Sequence, residues 1–83
     1  MQGNQSVHLQ IATPKGVFNG SFPKTAKISE VIDAVVADRG LKTGDVFELC
    51  HDGQKLTPTT RPLVSFGLEG TVKLELIATG SGV

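Results

Sequence analysis

Cysteine and the large polar aromatics are scarce in this chain of 83 residues, which has one cysteine and neither tryptophan nor tyrosine. One thiol excludes an internal disulfide framework, and with two scattered histidines it makes no recognisable zinc set. Cys50 and His51 are neighbours on a predicted strand and so point to opposite faces, which argues against a nucleophile and base pair. His8 is expected to be solvated on an outer face. We therefore predict no catalytic residue, no metal site and no cofactor, and a protein that is not an enzyme.

An excess of charge of one sign and a long apolar run are also lacking. Eight basic residues balance eight acidic ones without clustering, which argues against nucleic acid or an acidic membrane as partner. No apolar run approaches the roughly 20 residues of a membrane span, and the start, Met1 to Gln5, is too polar for a signal peptide. We expect a cytoplasmic, monomeric, one-domain protein with protein partners.

The first half of the chain alternates like a hairpin and then changes to a helical period. Residues 7–22 predict two strands that turn at Pro14-Lys15-Gly16. A single apolar stripe then predicts a helix, and its members are Ile28, Val31, Ile32, Val35 and Val36. Glu30 suits the positive end of the helix dipole, Gly40 can take a left-handed cap, and Leu41 is expected to fold back over the last turn.

The second half predicts three more strands. Residues 46–51 and 54–56 flank a tight turn at Asp52-Gly53, a loop with one helical turn covers 57–69, and a strand covers 71–78. The simplest way to bury these apolar faces is an α+β fold in which a mixed four- to five-stranded sheet wraps round one helix, with the first and last strands parallel. This is the β-grasp arrangement, and we assign it to residues 7–78. Residues 1–6 are predicted to be a flexible lead and 79–83 a flexible glycine-rich tail.

Several segments resemble ubiquitin. Gly53-Gln54-Lys55-Leu56 is similar to its Gly-Lys-Gln-Leu turn, residues 61–68 to its Arg-Thr-Leu-Ser-Asp-Tyr-Asn-Ile, and residues 70–76 to its Ser-Thr-Leu-His-Leu-Val-Leu. The resemblance spans residues 7–82 and implies the ubiquitin-like β-grasp fold. The same family includes bacterial ubiquitin-like modifiers encoded beside their own activating enzymes.

The resemblance gives the chain end a role. Glycines without Cβ atoms fit a narrow enzyme channel, and Gly80, Ser81 and Gly82 would form the conjugation tail. Modifiers of this family are adenylated at a terminal glycine by an activating (E1-like) enzyme and passed through a conjugating enzyme to protein targets. Here a processing peptidase would first remove Val83. An inert frayed terminus, a sulfur carrier ending in a thiocarboxylate and a non-covalent interaction domain are the alternatives.

The resemblance also locates a recognition surface. The positions that match ubiquitin's apolar patch are Cys50, Lys73 and Glu75, so the surface is polar and Cys50 is expected to be partly exposed. This predicts weak binding to ordinary ubiquitin-binding domains and a dedicated set of partners. Among the six lysines, Lys55 beside the Gly53 turn is the first candidate acceptor for chain formation.

Overall fold

Alternating apolar residues build a five-stranded sheet in this computed structural model, which describes residues 6–41 and 45–81. In chain order the elements are β1 (Ser6–Thr13), β2 (Gly16–Pro23), α1 (Ile28–Arg39), β3 (Asp45–His51), β4 (Gln54–Lys55), a 3₁₀ turn (Leu63–Phe66) and β5 (Gly70–Ser81). The strand order is β2-β1-β5-β3-β4. β1 and β5 are parallel, and the other neighbours are antiparallel. The predicted mixed sheet with parallel first and last strands is confirmed.

The core lies between α1 and one face of the sheet. Its most deeply buried side chains alternate along β1 and recur along α1 at the helical spacing, which is what the two periods require. They are Val7, Leu9, Ile11, Ile28, Val31, Val35, Leu49 and Leu63, each at most 1% exposed. Four half-buried phenylalanines, Phe18, Phe22, Phe47 and Phe66, pack around this cluster. Among the described residues, no helix has the length and apolarity that crossing a membrane requires.

Both ends of α1 are closed by nearby groups. At the start, the carboxylate of Glu30 accepts a hydrogen bond from the backbone N–H of Lys27 at 2.8 Å. The carbonyls of Thr59 and Arg61, in the proline-containing loop, accept from the first N–H groups of the helix. At the end, Gly40 has the predicted left-handed conformation with φ of 64°. The following N–H, that of Leu41, returns to the last turn at 2.9 Å from the carbonyl of Val36, as predicted.

The last strand is longer than predicted. We expected it to end at Ala78, but it continues to Ser81, and Gly80 and Ser81 pair with Val46 and Asp45 of β3. The prediction that a free tail begins at residue 79 is therefore wrong for residues 79–81. The physical reason is that β3 begins early enough to offer its backbone groups to this segment. Residues 82–83 lie outside the described residues.

The chain start also differs slightly from expectation. β1 begins at Ser6, which we had assigned to the flexible lead, because Ser6 pairs with Pro23 at the far end of β2. Residues 1–5 of that predicted lead lie outside the described residues.

The 3₁₀ turn offers a matched test of core packing. Leu63 is fully buried and its neighbour Val64 is 46% exposed. Leu63→Ala should lower the free energy of unfolding by about 3 kcal/mol, because it leaves a cavity in the core. Val64→Ala should cost less than about 0.5 kcal/mol. Urea unfolding followed by circular dichroism measures both, and equal losses would contradict the packing described here.

Candidate interaction face and C-terminal segment

The outer face of the sheet, opposite α1, brings the predicted recognition residues together. Lys73 and Glu75 are two apart on β5 and therefore share a face. Cys50 on β3 lies directly opposite Glu75 in the antiparallel register. On the other side of β5, Gln10 lies opposite Lys73 and Ala12 lies opposite Glu75. The three residues selected by resemblance thus form one contiguous surface across the middle strands.

This surface is an open depression with a volume of about 800 Å³. Its lining residues come from four segments and are Gln10, Ala12, Val17, Cys50, Asp52, Gly53, Lys73, Leu74 and Glu75. The resemblance did not select Gln10, Val17 or Asp52. The strand order would have found the first two, since β1 and β2 extend the outer face beyond β5. This surface is the outer depression.

Cys50 does not meet the expectation of partial exposure. Its side chain is buried, with a residue exposure of 5%. Cys50 lies between Glu75 on β5 and Lys55 on β4, so longer side chains stand on both sides of the short thiol. The exposed charged groups of the outer depression are therefore Lys73 and Glu75 on β5 and Asp52 in the turn, and the thiol forms part of the floor.

Lys55 is exposed but not isolated. Its ammonium lies 3.3 Å from a carboxylate oxygen of Glu48, and the two side chains are 62% and 25% exposed. Ion pairs at such accessible positions contribute about 0–1 kcal/mol and open readily. The amine is thus accessible to solvent, with a carboxylate beside it.

The histidines take part in no catalytic arrangement among the described residues. His8 lies on the outer face, where it is half-buried, and its Nδ1 lies 3.3 Å from the hydroxyl of Ser21. His51 follows Cys50 on β3, so the two side chains leave the strand on opposite sides.

The C-terminal part of β5 extends beyond the hydrophobic core. β1 accompanies β5 only as far as Glu75, and within residues 70–79 the last buried side chain of β5 is Leu76. From there to Ser81 the neighbour is β3 alone. The hydroxyl of Thr79 donates to the carbonyl of Val46 at 3.2 Å. This end of the molecule is therefore a two-stranded ribbon.

Solved structures with the same architecture identify the fold. The ubiquitin-like domain of an Arabidopsis thaliana protein superposes with a TM-score of 0.79 at 14% identity, covering 100% of this chain and 87% of that one. Caldiarchaeum subterraneum ubiquitin gives a TM-score of 0.74 at 23% identity, covering 98% and 100%. A protein designed de novo on ubiquitin gives 0.81 at 21% identity, covering 96% of each chain. This chain has the ubiquitin-like β-grasp fold. No protein-family model and no curated sequence matches it.

The outer depression is the candidate site on this fold. It lies on the sheet face that α1 leaves uncovered, and it carries a lysine and a glutamate over a buried thiol. A fold shared at this level of identity does not carry function with it.

Burial of Cys50 predicts a protected thiol. An aromatic disulfide reagent should modify Cys50 in the native protein at least about tenfold more slowly than in urea, because a buried thiol is inert. The control is Thr71→Cys combined with Cys50→Ala, which places the only thiol at an exposed outer-face position of β5. Absorbance at the wavelength of the released thiolate measures both rates. Native Cys50 reacting as fast as the control would contradict the burial.

Proposed function

We propose that this chain is a cytoplasmic ubiquitin-like protein modifier. A processing peptidase removes Val83, and an E1-like enzyme adenylates the carboxylate of Gly82. A conjugating enzyme then transfers the activated chain, carried as a thioester, to protein targets. The chain is the substrate of this chemistry and performs none. The observation that supports the proposal best is the continuation of β5 past the core towards a segment of small residues, Gly80-Ser81-Gly82.

Reach is the first argument. Within residues 70–79 the last buried side chain of β5 is Leu76, and Ser81 follows five residues later in the same strand. At about 3.4 Å per residue, Ser81 lies about 17 Å along the strand from that core residue. An enzyme can therefore handle the segment beyond it without contacting the core. Glycines at 80 and 82 add no Cβ to the width of the threaded chain.

The charges of the outer depression favour some partners over others. Lys73 and Glu75 are exposed and adjacent on the face of β5, where ubiquitin has an apolar patch. A partner built for an apolar patch would have to bury both charges without compensation, at a cost of several kcal/mol. A partner with an acid facing Lys73 and a base facing Glu75 gains specificity instead. We therefore propose dedicated partners that read this charge pair.

Lys55 remains the proposed acceptor for chain formation. Its amine is accessible on β4, and the carboxylate of Glu48 beside it can hold the ammonium until a conjugating enzyme approaches. Mapping of the isopeptide bond in any conjugate of the chain with itself decides between Lys55 and the other lysines.

Adenylation tests the proposal directly. The chain ending at Gly82 should support ATP–pyrophosphate exchange by a cognate E1-like adenylating enzyme at least about tenfold faster than the chain ending at Val83, because only the former offers a glycine carboxylate. Exposure of the full chain to its cognate processing peptidase should lower the intact mass by one valine residue. Equal exchange by both forms would contradict the proposal. Replacement of one terminal oxygen by sulfur, also visible by intact mass, would indicate a sulfur carrier.

A non-covalent interaction domain is the second candidate, and the pairing of Gly80 and Ser81 with β3 favours it, since these residues then have a structural use. Deletion of residues 79–83 separates the two. A non-covalent domain keeps its partner after the deletion, whereas a modifier loses conjugation.

The charge pair generates a further prediction. Glu75→Lys should weaken binding to the adenylating enzyme at least about tenfold, because it places two like charges side by side on β5. The matched control is Glu69→Lys, the same charge reversal at an exposed position outside the outer depression. Calorimetric titration of the enzyme with each variant measures both affinities. A similar loss for Glu69→Lys would show that net charge and not the outer depression sets affinity.

A further inference from the structure

We infer that residues 79–81 form a strap: a strand end that is docked on β3 in the resting protein and that opens, without unfolding of the core, before an enzyme takes the C-terminal carboxylate. The inference rests on the proposed modifier function and adds a control step to it.

The strap is paired on one side only. The parallel register with β1 stops at Glu75, so the rest of β5 has only β3 for a neighbour. The strap itself is held by the pairs Gly80 with Val46 and Ser81 with Asp45. An isolated two-stranded ribbon is at best marginally stable in water. The docked state of these residues therefore lacks β1, whose pairing supports the first half of β5 where alternate side chains enter the core.

Side-chain burial adds little to this docking. Ile77 on β5 is 43% exposed and Val46 on β3 is 50% exposed. Thr79 is also exposed, and its hydroxyl donates a hydrogen bond to the carbonyl of Val46. Segments with little apolar burial and accessible backbone bonds open locally at a small fraction of the global unfolding free energy.

A β-bulge marks where opening stops. Ala78 lies opposite Phe47, but the next pair is Gly80 with Val46, so Thr79 is an extra residue in β5. Bulges interrupt the hydrogen-bond ladder and bend the strand. On the core side of the bulge, half-buried Phe47 packs against the core cluster and holds its part of β3 in place. The strap can thus separate at Thr79 while the pairing from Ala78 inward remains.

The strap must open before activation because the docked strap is too wide for a channel that accepts a single chain. β3 lies about 4.8 Å from β5, so the docked strap is two strands wide. A channel that accepts a single extended chain accepts only the open form. The apparent affinity for such an enzyme equals the affinity of the open form multiplied by the fraction of molecules that are open. The strap therefore sets how readily the chain is activated.

Amide hydrogen exchange tests the strap without any enzyme. In the intact protein, the amides of residues 79–81 should exchange more slowly than in an unstructured peptide, but at least about a hundredfold faster than the amide of Leu74. Thr79→Val keeps the shape of the side chain and removes the donor to Val46, so it should speed exchange at residues 79–81 about fivefold. Thr71→Val, the same change at the other end of β5, should leave the strap unaffected.

Two results would overturn the inference. Exchange of the amides of residues 79–81 at the rate of an unstructured peptide would mean that the strap is not docked. Exchange as slow as that of Leu74 would mean that the strap does not open separately from the core.

Activation is measured in parallel on the chain ending at Gly82. ATP–pyrophosphate exchange should rise about fivefold with Thr79→Val and not with Thr71→Val. If Thr79→Val speeds amide exchange but leaves the rate of ATP–pyrophosphate exchange unchanged, opening of the strap does not limit activation and that part of the inference is overturned. Absence of activation in every chain would refute the proposed function, while the amide rates would still decide the strap.

Discussion

Parallel pairing between β1 and β5 is the interaction on which the remaining structure depends. It joins the beginning and the end of the chain in the middle of the sheet, in register from Val7 opposite Gly70 to Ala12 opposite Glu75. The intervening chain must then leave β2 at one edge and return to β3 on the other side of β5, and α1 makes this crossing over one sheet face. The core forms where the helix crosses, because only that face is shielded from water on both sides.

The same pairing determines the chemistry of the uncovered face. Residues that alternate with the core positions of β1 and β5 meet there, which places Gln10 beside Lys73 and Ala12 beside Glu75. Cys50 on β3 lies on the same face and is buried between the longer side chains of Glu75 and Lys55. The result is a shallow charged surface on a fold otherwise held by aliphatic residues. Such a surface contributes more to the choice of partner than to the stability of the fold.

Local stability falls along β5 for a related reason. Its first six residues pair with β1 and send alternate side chains into the core, whereas the residues from Leu76 onward pair with β3 alone, and the side chains of residues 77–79 are exposed. The bulge at Thr79 divides the supported part from the ribbon end. In the proposed strap, a stable body and a separable end arise from one strand, with the boundary at this bulge.

Local patterns in the sequence determined most of the architecture. The period of two gave β1 and β2, the helical period gave α1, and Gly40 gave its end, because each depends on residues close in sequence. The Asp52-Gly53 turn follows equally from local chemistry, since both residues have positive φ. Only the tertiary structure decided that Cys50 is buried and that residues 79–81 are paired. The burial depends on the long side chains of two other strands, and the pairing depends on how far β3 extends, and neither property is encoded next to the residues it affects.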